Sequence, residues 1–281
     1  MTSTPIPLAG VVQSADHQSA VTAIYDHWLS ASGLPGRYVP LTISADDLGE
    51  VIRVLPRAGF VGLNITRPFQ RLVLDHADII TDRAALMSGA NTIIFRKDGK
   101  IHADNTDGYG FIENIRQGAQ GWNPKSGPAA VFGAGRAARE VVAALLEVGV
   151  EEIRIANRTR PRAEALRAEF GTRIVVTDWV KGGNIVEGAM TIVNATPLGS
   201  PGQQDFRVPL DGLTRGAVVS DLAIAPEITR LMRVAMQMGC YPVDGIGMVL
   251  YQAAPAFERW YGRRPEVDQT ARAVATGAYS S

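Results

Sequence analysis

The sequence predicts an α/β protein of two domains. Three observations carry that prediction. Short apolar runs alternate with segments of helical periodicity along most of the chain. A glycine-bearing segment, Gly133-Ala134-Gly135, sits between an apolar run and an amphipathic stretch. The length, 281 residues, suits two cores better than one.

Taken in order, Tyr38-Val39-Pro40-Leu41 reads as a strand. Residues 46–55 carry Leu48, Val51, Ile52 and Leu55 at helical spacing. Gly59-Phe60-Val61-Gly62-Leu63-Asn64 is the next strand and leads into a loop holding Pro68. Residues 91–95 form another, followed by the turn signal Asp98-Gly99-Lys100. This alternation predicts a largely parallel sheet. A polar linker, 122–128, then precedes the buried strand Ala129-Ala130-Val131-Phe132. A helix is predicted over 136–148, with Val141, Val142, Ala144, Leu145 and Leu146 on one stripe. A strand over 152–156 completes a βαβ unit. Further strands are predicted at 173–176, 190–194, 217–222 and near 241–243. From Gly247 onward Met248, Leu250, Tyr251, Ala254, Phe257 and Trp260 read as helix, and the tail 276–281 as frayed.

Composition excludes several classes. Lys and Arg number 28 against 28 Asp and Glu, so a nucleic-acid footprint is not expected. No apolar run reaches membrane-spanning length. The start, MTSTPIPLAG, lacks a basic region followed by a long apolar one. Cys240 is the one cysteine, and His17, His27, His76 and His102 are scattered, so neither an internal disulfide nor a metal site is expected. A cytoplasmic protein, monomer or homodimer, that takes a small molecule is the expectation.

The chemistry begins at Gly133-Ala134-Gly135-Arg136-Ala137-Ala138. The motif follows a predicted strand and opens a predicted helix, the context of a dinucleotide site. Gly133 permits the tight turn, Gly135 lets a pyrophosphate approach the backbone, and Ala138 allows close helix–sheet packing. The helix N-terminus offers N–H groups to phosphate. The second strand of the unit ends at Ala156-Asn157-Arg158-Thr159-Arg160-Pro161-Arg162. An NAD site places an acid here for the ribose 2′-hydroxyl. Three arginines within five residues fit a 2′-phosphate instead, so NADP is the expected cofactor.

Ordered blocks along nearly the whole chain resemble the shikimate dehydrogenase family, which includes quinate dehydrogenases. Asn64-Ile65-Thr66-Arg67-Pro68-Phe69-Gln70 is similar to the family's Asn-Val-Thr-x-Pro-x-Lys loop, and Ser88-Gly89-Ala90-Asn91-Thr92 to its Gly-Ala-x-Asn-Thr segment. Asn105-Thr106-Asp107-Gly108-Tyr109-Gly110 matches its Asn-Thr-Asp-Gly-x-Gly block. Asn157-Arg158-Thr159, Asn194-Ala195-Thr196-Pro197-Leu198-Gly199 and Asp244-Gly245-Ile246-Gly247-Met248, continuing to Gln252, match further on.

The resemblance implies an N-terminal α/β substrate domain (1–108), a Rossmann NADP-binding domain (109–245) and C-terminal helices (246–281) that return to the first domain. It implies hydride transfer between a ring hydroxyl and the nicotinamide. Asp107 matches the acid of the family's Lys–Asp catalytic pair. Asn64, Thr66, Asn91, Thr106 and Gln252 match contacts to ring hydroxyls. Gly133, Ala134, Gly135, Arg136, Ala137, Asn157, Arg158, Thr159, Arg162 and Thr196 match the cofactor site, with Gly245, Gly247 and Met248 toward the nicotinamide.

The departures fall on the substrate side. Gln70 stands where the family has its catalytic Lys, and a glutamine does not titrate. Gln13-Ser14-Ala15-Asp16-His17 is taken as the counterpart of His-Ser-x-Ser-Pro, whose serines hold the substrate carboxylate. Ser14 is then kept, and Asp16 repels a carboxylate or caps the following helix. His17 is then a surface residue or a positive partner for an anionic ligand. Ile224 replaces a tyrosine. The expected activity is an NADP-dependent oxidoreductase with weak shikimate turnover or an altered cyclic polyol substrate. The alternative is a non-catalytic NADP-binding or sensor protein.

Overall fold

The computed structural model describes residues 6–15, 19–225 and 228–280. The chain divides into two compact units, residues 1–107 with 252–279, and residues 108–251.

The first unit begins with β1 (Leu8–Gln13), α1 (Val21–Ser32), β2 (Arg37–Thr42), α2 (Leu48–Val54), β3 (Phe60–Ile65) and α3 (Phe69–Leu72). It continues with β4 (Ile79–Ile80), α4 (Asp82–Met87), β5 (Thr92–Phe95) and β6 (Ile101–Asp104). The sheet order is β2-β1-β3-β5-β6-β4. Three of its five strand pairs are parallel, in keeping with the largely parallel sheet predicted, and β5 is the exception. β5 runs antiparallel to both β3 and β6. The reason is local. Gly99, at φ +83°, closes a tight hairpin between β5 and β6, and a hairpin joins only antiparallel strands. α1 lies between β1 and β2 in the chain and α2 between β2 and β3; β2 and β3 flank β1 and run parallel to it, and β4 runs parallel to β6.

α1 buries Val21, Ile24, Tyr25, Trp28 and Leu29 on one stripe and stops at Gly33, which takes φ +62°. Only a glycine adopts that left-handed cap without steric cost. α2, β3 and α3 supply Leu48, Ile52, Leu63, Ile65 and Phe69 to one core.

The second unit holds α5 (Asp107–Gly118), β7 (Ala129–Phe132), α6 (Arg136–Glu147), β8 (Ile153–Asn157), α7 (Arg160–Phe170) and β9 (Ile174–Asp178). β10 (Thr191–Asn194), β11 (Val218–Asp221), α8 (Arg230–Gln237), β12 (Tyr241–Asp244) and α9 (Gly245–Tyr261) follow. Its sheet runs β12-β11-β10-β7-β8-β9 and every pair is parallel. Strand β7 explains why. Ala129 and Val131 join one core cluster while Ala130 and Phe132 join the other. A strand buried on both faces requires helices on both sides. The chain reverses direction of winding between β7 and β10, the place where doubly wound sheets bind ligands.

α9 carries the chain from the second unit back into the first, where α10 (Gln269–Ser280) ends it. The predicted frayed tail is therefore corrected as far as Ser280. Ala271 and Ala275, one helical turn apart, are both buried, and that contact holds the last turns. Trp28 Nε1 donates to the Glu266 carbonyl, Tyr25 Oη to that of Ala253 and Tyr261 Oη to that of Arg37. Among the described residues no helix is long and apolar enough to cross a membrane.

Candidate active site

Asp107 is the first residue of α5 and is 9% exposed. A helix N-terminus favours a carboxylate there. The Asn91 amide donates to Asp107 Oδ1 at 2.8 Å. Asn91 Oδ1 in turn accepts from Thr92 Oγ1, Thr106 N and Thr106 Oγ1 at 3.0, 3.0 and 3.1 Å. Asn105 Oδ1 accepts from the Asp107 N–H at 3.1 Å, and Asn105 Nδ2 donates to the Gly89 carbonyl at 3.0 Å. The residues flanking the β5–β6 hairpin thus fix the carboxylate's position. Asn91 thus holds Asp107 through one N–H of its amide, and it also lines the cavity that Asp107 faces.

Asp107 faces a cavity of about 440 Å³ within the first unit. Asn64, Thr66, Gln70, Thr106 and Gln252 line it with amides and hydroxyls. β3 delivers Asn64, whose Oδ1 accepts from Tyr38 Oη at 2.7 Å. Thr66 Oγ1 donates to the Val12 carbonyl at 2.8 Å and keeps its lone pairs for the cavity. Gln70 Nε2 donates to the Ile65 carbonyl at 2.8 Å. That bond fixes the amide's orientation, because the flipped amide would set oxygen against oxygen. Gln70 Oε1 is left as a buried acceptor with no donor.

The N-terminal wall differs from the sequence reading. Ser14 does not line the cavity; Ser19, Ala20 and Val21 do. Asp16 and His17 lie outside the described residues. Ser14 comes directly after β1, before the chain turns toward α1, whereas Ser19 is set by its N–H bond to Gln13 Oε1 at 2.8 Å. The signal was the second serine, just ahead of the apolar stripe of α1. Two further polar side chains of the lining were not singled out, those of Arg67 and Tyr279. Tyr279 stands on α10, in the segment expected to fray.

In the second unit, Gly133 follows β7 at φ +112°. A Cβ there would lie 2.9 Å from the Ala195 carbonyl oxygen. Gly135 caps α6 without a side-chain bond, and a Cβ on it would meet nothing within 4 Å. The space in front of the α6 N-terminus is therefore open, which fits a pyrophosphate. Asn194 Oδ1 accepts from the Thr196 N–H and hydroxyl at 3.1 and 2.6 Å, closing the loop after β10 beside the Gly133 turn. Asn157 Nδ2 donates to the Thr159 carbonyl at 2.7 Å and closes the loop after β8. The three arginines there divide. Arg160 is bonded to Asp178 at 2.6 Å and to Glu164 at 3.0 Å, while Arg158 and Arg162 are exposed and bond no described side chain. Arg136, expected at the cofactor, directs its Nε to Glu140 at 2.7 Å. This donor set fits a 2′-phosphorylated dinucleotide.

Comparison with known proteins agrees along the chain. The model for the shikimate dehydrogenase substrate-binding domain matches residues 14–93, that for shikimate/quinate 5-dehydrogenase residues 119–247, and that for the shikimate 5′-dehydrogenase C-terminal domain residues 245–275. The chain is 57% identical to the shikimate dehydrogenase (NADP(+)) of Cereibacter sphaeroides, over 98% of this chain and 99% of that one. Among solved structures, the Thermus thermophilus shikimate 5-dehydrogenase in complex with NADP(H) and shikimate aligns with a TM-score of 0.80 at 31% identity, covering 98% of this chain and 100% of that one. The Corynebacterium glutamicum quinate dehydrogenase in complex with NAD aligns with a TM-score of 0.83 at 28% identity, covering 96% and 98%.

Proposed function

The chain belongs to the shikimate dehydrogenase family, and from that membership we infer that it is an NADP-dependent oxidoreductase acting on the CH–OH group of shikimate. The observation that carries this reading is the Asp107 carboxylate, held by Asn91 at 2.8 Å and facing a cavity of amides and hydroxyls. Such walls suit a polyhydroxylated ring, since each ring hydroxyl both donates and accepts.

Thr66, Thr106, Asn64 and Gln252 hold the ring hydroxyls, and Asp107 takes up the hydroxyl proton in the oxidative direction. Gln70, its amide held by the Ile65 carbonyl, lines the site without exchanging a proton. The Gly133–Ala137 turn and the α6 N-terminus hold the pyrophosphate, with Arg158 and Arg162 on the 2′-phosphate. Bound NADP supplies the acceptor for the hydride.

Turnover is slower than in a lysine-bearing relative. Ser19 offers one hydroxyl to the substrate carboxylate. If the family's pair of serines two apart starts at Ser19, its second member falls on Val21, an apolar side chain in the same wall. Carboxylate recognition and proton transfer are then both weakened.

The test is direct. Purified protein is given NADP with shikimate, and the reduced cofactor is followed by absorbance. Shikimate-dependent reduction, faster with NADP than with NAD, is the expected result. No reduction with shikimate, alongside turnover of an uncharged cyclic polyol, would move the substrate assignment to the polyol.

A further inference from the structure

We propose that Asp221 is a positioning residue of the cofactor site: through Asn194 it holds the loop over residues 195–198 against the Gly133 turn. The proposal rests on the cofactor reading above, in which that turn holds the pyrophosphate.

Phe132, Asn194 and Asp221 are the last residues of β7, β10 and β11 and stand side by side in register. These are the carboxyl ends of adjacent parallel strands, where a doubly wound sheet binds its ligand. Asn194 and Asp221 are both fully buried. Asp221 Oδ1 accepts from Asn194 Nδ2 at 2.9 Å and from the Ala223 N–H at 3.1 Å, and Oδ2 accepts from Thr229 Oγ1 at 2.6 Å. The other N–H of the Asn194 amide goes to the Leu198 carbonyl at 2.9 Å. Its oxygen takes the Thr196 N–H and hydroxyl, and Thr196 Oγ1 accepts from the Leu198 N–H at 3.2 Å. Every hydrogen-bonding position of that amide is filled.

Asp221 decides which way the Asn194 amide faces. Turned over, Asn194 would set its oxygen against Asp221 Oδ1 and its N–H groups against the Thr196 N–H. The loop it holds packs on the Gly133 turn: a Cβ on Gly133 would lie 2.9 Å from the Ala195 carbonyl oxygen and 3.2 Å from the Thr196 methyl carbon. A shift of Asn194 is therefore a shift of the wall beside the pyrophosphate turn. Burial pushes the Asp221 carboxyl above the ordinary carboxylate range, and what the loop needs from it is an acceptor oxygen rather than a charge. A leucine of similar size would leave the buried Asn194 N–H and Ala223 N–H without that acceptor, and buried donors left unmade are costly.

Calorimetric titrations compare the parent, Asp221→Leu and Asp221→Asn with NADP and with adenosine 2′-monophosphate, which has the 2′-phosphate and no pyrophosphate. In Asp221→Leu, NADP should weaken by about 10-fold, the scale of one lost hydrogen bond. Adenosine 2′-monophosphate should stay within about 2-fold, since its contacts lie on the separate loop after β8. In Asp221→Asn the new amide turns its N–H groups to Thr229 Oγ1 and keeps its oxygen for Asn194 and Ala223, so NADP should bind within about 3-fold of the parent. Asn194→Ala cuts the same link one step along, should show the same NADP-selective loss, and decides the matter if Asp221→Leu does not fold. Parental NADP affinity in Asp221→Leu or in Asn194→Ala overturns the proposal. So do equal losses for the two ligands, the mark of general loosening, and a loss in Asp221→Asn as large as in Asp221→Leu, the mark of a charge effect. A parent that binds adenosine 2′-monophosphate as tightly as NADP overturns the pyrophosphate reading itself, before any variant is compared.

Discussion

The Asn91 amide donates to the Asp107 carboxylate at 2.8 Å while its own oxygen gathers Thr92 and Thr106. One asparagine thus ties the ends of the β5–β6 hairpin to the start of α5. Asp107→Asn should lower kcat by about 10²–10⁴-fold, the usual loss for a positioned acid–base group. Asn91→Ala should lower kcat less, because the carboxylate remains but loses its anchor. Steady-state kinetics with shikimate would check both, and an Asp107→Asn variant with parental kcat would remove Asp107 from the chemistry.

The cofactor loop makes a sharper distinction than its sequence does. Arg160 is engaged by Asp178 and Glu164, whereas Arg158 is not. Arg158→Ala should weaken NADP by about 10–100-fold, the loss of about 1.5–3 kcal/mol for a hydrogen bond to a charged group, and leave NAD nearly unchanged. Arg160→Ala should leave both cofactors alone, and its exposed ion pairs contribute at most about 1 kcal/mol to stability. Equal losses for NADP and NAD in a fluorescence titration of Arg158→Ala would refute the 2′-phosphate contact.

How much of this was legible in the sequence depends on how local each signal is. The βαβ unit was readable because strand, glycine turn and helix follow one another: the predicted helix over 136–148 is α6, Arg136–Glu147, and the strand over 152–156 is β8, Ile153–Asn157. α1 has an equally regular stripe, Val21, Ile24, Tyr25, Trp28 and Leu29, but the serine-bearing run assigned from sequence, at Ser14, lies five residues ahead of Ser19. Antiparallel pairing of β3 with β5 depends on tertiary contact and leaves no periodicity of its own. Tyr279 was illegible for the same reason. Its helix shows only alanines to the core, and nothing in sequence places residue 279 beside residue 107.

Tyrosine ionisation should set the alkaline limit of the fold. Tyr25 and Tyr38 stack at 4.0 Å with planes 7° apart, and burial pushes both phenols well above their ordinary range. Tyr261 is also raised, mainly by burial. A raised folded-state pKa means that the folded form binds more protons than the unfolded one above about pH 10, so stability falls as pH rises. The contribution is complete below about pH 10 and is lost progressively above it, by up to about 1.4 kcal/mol per pH unit for each such phenol. Circular dichroism and phenolate absorbance should change together in an alkaline titration. Tyr38→Phe should shift that transition to higher pH if it folds as the parent does. A phenolate signal that appears well before the loss of helicity would show the tyrosines to be open to solvent.

Gly133→Ala should damage the cofactor site through the backbone. At φ +112°, with the Ala195 carbonyl oxygen 2.9 Å from an added Cβ, the loop must shift. Strain of this kind costs of order 1–3 kcal/mol. NADP affinity should fall more than thermal stability, since the loop can relax only by moving away from the α6 N-terminus. Unchanged affinity in a calorimetric titration would place the pyrophosphate elsewhere.

Val21 gives the test of substrate recognition. Val21 and Ser19 line the same wall of the cavity, and only Ser19 can donate to an anion. Val21→Ser puts a second hydroxyl beside it in place of the two methyl groups, which also makes the side chain smaller. A hydrogen bond to a carboxylate contributes about 1.5–3 kcal/mol, so KM for shikimate should fall by about 10–100-fold. Because the carboxylate is bound alike before and during reaction, kcat should stay near the parental value. An uncharged polyol tested in parallel should gain nothing, which separates carboxylate recognition from a general opening of the wall. If KM for shikimate is unchanged while the polyol improves, the carboxylate lies against another wall, and Arg67, the cation lining the cavity, becomes its partner.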